Sequence, residues 1–299
     1  MLLDDFELVY AGRSPTEDDL LKLCRQHDPA AIIVRYGRIT ARVIESCGNL
    51  RVISKHGSGI DTIDVPAAAS RGVVVRAAVG ANAAAVAEHT WALILACAKS
   101  IPQLNDRMHA GHWDKATHKS LELRGLTLGI AGLGAIGKRV AAIGVAMEMK
   151  VVAYDPNLGA APPGVRLDSL DAVLGADVVS LHCPLTADNR HMINRDTLER
   201  FRAGAILVNT ARGGLVDEEA LVEALCAGKL RAAALDSFPT EPPPFDYRLR
   251  GVERLVMTPH VAGVSEAAYE NMGVAAARNV LETLGVPDSR SAFPRTETA

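Results

Sequence analysis

The sequence predicts an α/β protein made of two doubly wound parallel-sheet domains, with helices on both faces of each sheet. Three observations carry that reading. The chain has 299 residues, 48% hydrophobic and 22% charged, long enough for two cores and too apolar for overall disorder. Short β-branched runs alternate with helical stretches, the pattern of right-handed βαβ units. The series runs twice, broken by a polar stretch at 102–123 that holds His109, His112, His118 and Trp113.

The elements follow in order. FELVYAG (6–12) reads as the first strand. Ser14-Pro15-Thr16-Glu17 reads as a capping box with proline at the first helical position, opening a helix through 20–26. AIIVR (31–35) is a short buried strand, and Thr40 caps the helix after it. RVISK (51–55) and VVVR (73–76) are further strands bounded by glycine-containing turns. Residues 81–99 form a long alanine-rich helix. The second series has the strands TLGIAG, VVAYD, DVVSLH, AILVN, RAAALDS and RLVMT, with a helix after Ala135. A last helix at 265–284 comes after that series has ended and is expected to pack back on the first domain. The expected domains are therefore 1–81 with 265–299, and 82–264. The tail after Pro287 reads as loosely ordered.

Gly132-Leu133-Gly134-Ala135-Ile136-Gly137 is the first motif with chemistry. A GxGxxG alone is a weak signal. This one follows an apolar strand and opens an apolar helix, and Asp155 closes the next strand. That context is the dinucleotide fingerprint of a Rossmann-type domain. Gly132 permits the tight turn, Gly134 lets the backbone approach a pyrophosphate at the helix N-terminus, and Gly137 allows close helix–strand packing. Asp155 would accept the ribose hydroxyls and repel a 2′-phosphate. With no arginine in the residues that follow it, the reading favours NAD over NADP.

A second constellation lies at three later strand ends. NTARGG (209–214), ALDSFPTEP (234–242) and TPHVAG (258–263) each follow a strand, where ligands bind in open parallel sheets. Arg212, Glu241 and His260 thus converge on one rim. Arginine clamps a carboxylate bidentately. Histidine moves a proton near neutral pH, and glutamate orients it and raises its pKa.

With these motifs, and with HGSGIDTID (56–64), NAAAVAEH (82–89) and LHCPLTADNRHMIN (181–194), the chain resembles the D-isomer-specific 2-hydroxyacid dehydrogenases. The resemblance runs from about residue 50 to 285 and is strongest to short-type phosphoglycerate dehydrogenases. It implies an NAD-binding Rossmann-type domain, a smaller flavodoxin-like substrate domain, and an active site in the cleft between them. It implies catalytic roles for Arg212, Glu241 and His260. It matches Ala135, Ile136, Cys183, Thr210, Ala211, Arg212 and the segment from His260 to Gly263 to cofactor-contacting positions, and Asp236 to the residue that meets the nicotinamide carboxamide. Ser58 and Gly59 match the loop whose amides hold the substrate carboxylate. Lys55 stands where a cation can meet a substrate phosphate, with Arg71 a second such cation. The substrate is a 2-hydroxy or 2-oxo acid, with 3-phosphoglycerate, glyoxylate and hydroxypyruvate left open. Family members usually begin with an extra strand and helix before the equivalent of FELVYAG. Either the start is assigned late, or the small domain lacks an edge or central strand. The arm at 102–123 crosses to a partner in the family, implying a homodimer anchored by Trp113.

Other readings are excluded or set aside. A formal charge of −3 leaves no electrostatic footprint for nucleic acid or an anionic membrane. The apolar run at 90–98 is too short to span a bilayer, and the first residues, MLLDDFELVY, do not read as a secretory signal. Five scattered cysteines read as reduced thiols of a cytoplasmic protein. The arm histidines lack a nearby cysteine or acidic cluster, so no metal site is expected. Cys183 reads as packing against the cofactor rather than as a nucleophile, and Glu88-His89 as a domain-interface feature. The rival from another class is an NAD-sensing, corepressor-like binding protein.

Overall fold

The structure, a computed structural model, describes residues 6–287, so the tail after Pro287 lies outside the described residues. Contacts divide the chain into two compact units. One takes residues up to Asn82 and again from Ser265; the other is Ala83–Val264.

The small unit begins with α1 (Glu17–His27), β1 (Ala31–Val34), α2 (Ala41–Glu45), β2 (Val52–Lys55), α3 (Val65–Ser70) and β3 (Val74–Ala77). Its three strands are all parallel, in the order β1-β2-β3. The α1 cap differs from the expected one. Thr16 rather than Ser14 is the N-cap, and Asp19 rather than Glu17 completes the box. Pro15 therefore lies before the helix, because a capping box is set by side chains that can reach the free N–H groups of the first turn. Thr40 caps α2 as expected, accepting the Val43 N–H, and its hydroxyl also donates to Glu17 at the start of α1.

FELVYAG is not a strand. Residues 6–12 join no ladder, and Leu8, Val9 and Tyr10 are exposed. An apolar run becomes a strand only where a neighbour takes its backbone hydrogen bonds and a face is buried. Without that strand, the three described strands run in plain sequence order, with no reversal of the flavodoxin kind among them.

The large unit contains α4 (Ala83–Lys99), α5 (Ile101–His109), β4 (Thr127–Ala131), α6 (Ala135–Ala146), β5 (Lys150–Tyr154), β6 (Val165–Leu167), α7 (Leu170–Leu174), β7 (Val178–Leu181), α8 (Arg195–Glu199), β8 (Ala205–Asn209), α9 (Glu218–Cys226), β9 (Leu230–Leu235) and β10 (Leu255–Met257). Its seven strands are parallel in the order β10-β9-β8-β7-β4-β5-β6. The order reverses between β4 and β7, the switch point of a doubly wound sheet. Sequence analysis missed β6, a three-residue strand at the sheet edge. The central strands are buried on both faces, as parallel sheets require. Alternation along β8 sends Ile206 and Val208 to a core with Trp91 and Ile94 of α4 and Val140 of α6. It sends Leu207 to the opposite core, with Leu174 of α7, Leu198 of α8 and Leu221 of α9.

The chain then returns to the small unit in α10 (Glu266–Leu284), capped by Ser265. Ile53 of β2 faces a core with Leu21, Ile44 and Val73. Ser54, on the other face, donates to the Ala276 carbonyl of α10 at 3.0 Å, and Asn279 of α10 donates to Ser54 and to the Ala77 carbonyl. Helices thus cover both faces of the small sheet. Among the described residues, no helix is long and apolar enough to cross a membrane.

Candidate active site

The glycine turn after β4 is shaped by close packing. Gly132 has φ +96°, and a Cβ there would lie 2.7 Å from the backbone of His182 and Cys183 after β7. A Cβ on Gly137 would lie 2.1 Å from the Gly132 carbonyl. Only glycine fits either position. Gly134 is different: a Cβ there would meet nothing within 4 Å. It is the N-cap of α6 and offers no side chain to cap it. The N–H groups of the first turn, at Ala135 and Ile136, therefore face open space at the positive end of the helix. That cradle fits a dinucleotide pyrophosphate. Asp155 stands beside it and braces the turn, with one carboxylate oxygen accepting the Leu133 N–H at 2.8 Å and the other the Asn157 N–H at 3.0 Å.

Cys183 lies at this turn, with Sγ 3.7 Å from the Met192 sulfur. Burial pushes its thiol pKa up, the opposite of what a nucleophile needs. His182 is half-buried, with Ser180 2.9 Å from its Nε2. Burial drives its pKa down to about 3, so it stays neutral.

The loops after β8, β9 and β10 carry Arg212, Glu241 and His260. Asn209 ends β8 fully buried and clamps the next turn. Its side chain accepts the Ala211 N–H at 3.0 Å and donates to the Arg212 carbonyl at 2.8 Å. Thr210 is buried, 2.9 Å from Thr90 of α4. Gly213 packs so tightly on the backbone of Phe238 and Pro239 that a Cβ would lie 2.1 Å from it, which holds the Arg212 loop against the Glu241 loop.

Glu241 and His260 form a hydrogen-bonded pair, Oε2 to Nδ1, at 2.6 Å. The other Glu241 oxygen accepts the Phe238 N–H at 2.9 Å. The hydrogen bond with Glu241 raises the His260 pKa, outweighing burial, which lowers it. Burial pushes Glu241 up, but the bonds from His260 and Phe238 hold its pKa below the usual range. The Arg212 charge acts on both groups. With Nδ1 engaged, His260 presents Nε2 for proton transfer. His260 has φ +53°, a conformation rare for a non-glycine residue.

Asp236, just after β9, is 1% exposed. One oxygen accepts the Thr258 hydroxyl at 2.6 Å and the Val261 N–H at 2.9 Å; the other accepts the Ala262 N–H at 2.8 Å. Its carboxylate thus holds the segment around His260, which ends at half-buried Gly263. Sequence reasoning missed Asn209 and Thr258, because single polar residues beside a strand end look alike until the loops are folded together.

In the small unit, Ser58 donates to the Asn82 side chain at 3.1 Å, and Gly59 follows it half-buried. The Lys55 ammonium donates to the Arg35 carbonyl at 2.7 Å and lies 3.4 Å from the Thr62 hydroxyl, so it ties the end of β1 to the loop after β2. Arg71 donates to the carbonyls of Glu45 and Cys47, bracing the end of α2. The sequence reading also missed a cluster here. The Arg35 guanidinium lies over the rings of Tyr36 and Tyr269, at 4.5 Å and 4.0 Å, and His56 packs 5.0 Å from Tyr269. In the arm, Arg107 pairs with Asp114, and Trp113 is 74% exposed. Among the described residues, no three histidine, cysteine or acidic side chains come together as a metal site.

Residues 91–262 match the family model described as D-isomer specific 2-hydroxyacid dehydrogenase, NAD binding domain. The chain is 38% identical to a hydroxypyruvate reductase of Thermotoga maritima, over 96% of this chain and 94% of that protein. It is 42% identical to a D-3-phosphoglycerate dehydrogenase of Archaeoglobus fulgidus, over 84% of this chain; there it spans about half (49%) of the relative's length. The crystal structure of the TT0316 protein from Thermus thermophilus superposes with a TM-score of 0.84 at 37% identity, covering 92% of this chain and 88% of that one.

Proposed function

Because the chain belongs to the D-isomer specific 2-hydroxyacid dehydrogenase family, an NAD-dependent group of oxidoreductases, we propose that Arg212, Glu241 and His260 carry reversible oxidation at C2 of a D-2-hydroxy acid. The observation that carries this assignment is the 2.6 Å His260–Glu241 pair, formed at adjoining strand ends within reach of the Arg212 charge. Bound NAD supplies the nicotinamide that accepts the hydride in oxidation and, reduced, returns it. The open first turn of α6 would hold its pyrophosphate, with Gly132, Gly134, Ala135, Ile136 and Gly137 as the cradle, and Asp155 would accept the ribose hydroxyls. Arg212 clamps the substrate carboxylate and polarises the C2 oxygen. His260 Nε2 takes the hydroxyl proton in oxidation and gives one to the oxygen in reduction. Glu241 fixes the tautomer and stabilises the imidazolium. Asp236 has one acceptor position left on the oxygen that binds Ala262, and a carboxamide N–H is suited to it. Thr210, Ala211, Cys183 and Gly263 complete the cofactor wall.

In this reading the small unit, up to Asn82 and again from Ser265, serves the substrate and Ala83–Val264 the cofactor. Ser58 and Gly59 offer backbone amides to the substrate carboxylate. Lys55 braces its own loop through the Arg35 carbonyl, and a role toward a substrate phosphate would add a second task to the same ammonium, which has three donors. The substrate is a short 2-oxo acid or its alcohol, such as hydroxypyruvate, glyoxylate or phosphohydroxypyruvate. NADH oxidation with those three acids tests the function. Turnover with one of them supports it; no turnover with tight NADH binding favours a binding protein instead.

The exposed Trp113 supports a homodimer through 102–123, since large aromatic side chains anchor interfaces. Trp113→Ala should then shift the protein toward monomer in sedimentation, and a wild type that is monomeric at micromolar concentration would refute this. The free cysteines fit a reducing compartment such as the cytoplasm; retention of all five thiols in protein isolated under thiol-blocking conditions would check it.

A further inference from the structure

We propose that His89, on α4, is a positioning residue for His260, acting through a His89–Thr258–Asp236 chain; this rests on the functional reading above. Asp236 is buried, and a buried carboxylate needs donors. All three of its donors, the Thr258 hydroxyl and the Val261 and Ala262 N–H groups, come from the segment that carries His260. The His260 N–H in turn donates to the Thr258 carbonyl at 3.0 Å. The left-handed backbone of His260 costs free energy unless its surroundings fix it, and this network fixes it.

His89 closes the chain. Its Nε2 lies 3.0 Å from the Thr258 hydroxyl and 3.6 Å from the Asp236 carboxylate. A threonine hydroxyl has one proton, and an ionised carboxylate only accepts. The Thr258 proton therefore goes to Asp236, and the bond between His89 and Thr258 must be donated by His89. This sets the tautomer: His89 carries a proton on Nε2.

The next residue on α4 has a parallel task. Thr90 donates to the Val86 carbonyl at 2.7 Å, so its oxygen accepts from Thr210, 2.9 Å away. Two consecutive α4 side chains thus reach the two loops that present Arg212 and His260. One rigid helix sets the separation of the carboxylate clamp and the proton carrier. Glu88, beside them, is exposed and takes no part.

The test uses the full chain and three variants. His89→Leu removes the donor, His89→Gln keeps an N–H at a similar reach, and Thr258→Val removes the relay. With NADH and the best 2-oxo acid, His89→Leu should lower kcat about 10-fold, the scale of one hydrogen bond in a charged network. The NADH Kd should stay within about twofold, and His89→Gln should recover most of the rate. A purely structural role would not give rescue by glutamine with unchanged cofactor affinity. Long-range 15N spectra of histidine-labelled protein should show an Nε2 proton on His89 in wild type and a changed signal in Thr258→Val. His89→Leu at wild-type kcat, His89→Gln as impaired as His89→Leu, or a His89 protonated only on Nδ1 would overturn the proposal. A wild type that turns over no 2-oxo acid defeats the functional reading instead; the tautomer still decides the His89 chain.

Discussion

The glycine turn after β4 and the loops after β8, β9 and β10 belong to one sheet and are built on opposite principles. The turn works by missing side chains: Gly132 and Gly137 let backbone meet backbone, and Gly134 leaves a helix end open. The loops work by side chains held in place: Asn209 clamps the Arg212 turn, Asp236 the His260 segment, and Glu241 the His260 ring. Under the proposed function, the difference encodes cofactor affinity and turnover separately, so substitutions should separate them.

His260→Ala should make the sharpest cut. It removes the proton carrier and should lower kcat by about 10²–10⁴-fold, while NADH still binds because the glycine turn is untouched. Stopped-flow turnover and NADH fluorescence titration measure the two quantities; near-full turnover would place the proton donor elsewhere.

Gly137→Ala should do the reverse damage. Its methyl group meets the Gly132 carbonyl, so the turn must move, at about 1–3 kcal/mol, the usual cost of overpacking. Denaturant midpoint and NADH affinity should fall together. Unchanged NADH affinity would mean that the turn is not the cofactor site.

Asp155→Ala tests the joint between the two principles, since here a side chain braces the glycine turn. It frees the Leu133 N–H and removes the proposed ribose acceptor. NAD affinity should weaken by about 1–3 kcal/mol and NADP affinity by less, because a repulsive charge also goes. A wild type that used NADPH as readily as NADH would remove this role from Asp155.

Glu241→Gln should have the smallest effect, a displacement along the pH axis. Glu241 raises the His260 pKa, so removing its charge lowers that value. Reduction needs the protonated imidazole, and its rate falls as pH rises through the His260 pKa; in the variant the fall comes at lower pH. Oxidation needs the neutral ring, and its rise also moves to lower pH. An unmoved profile in either direction would uncouple Glu241 from the titrating group.

Much of this was legible because local rules and tertiary structure agree. The fingerprint could be read because strand, glycine spacing, helix and Asp155 lie within one short segment, where local sterics decide the conformation. Arg212, Glu241 and His260 could be placed at a common rim, because a parallel sheet brings all its strand ends to one edge. FELVYAG failed for the matching reason: strand propensity is local, but a strand exists only with a partner, and no ladder forms along 6–12. The α1 cap slipped by two residues because several hydroxyl and acidic residues compete there, and geometry picks the one in reach.

From the sequence alone came the sheet-and-helix alternation, the glycine turn and the candidates for acid–base chemistry, since each depends on residue type and short-range spacing. Only the tertiary structure decided which groups Asp236, Thr258 and His89 hold. Their hydrogen-bond partners are mostly side chains and loops from other elements, such as His89 and Thr258, 169 residues apart. A polar side chain carries no mark of which donor or acceptor the fold will bring to it.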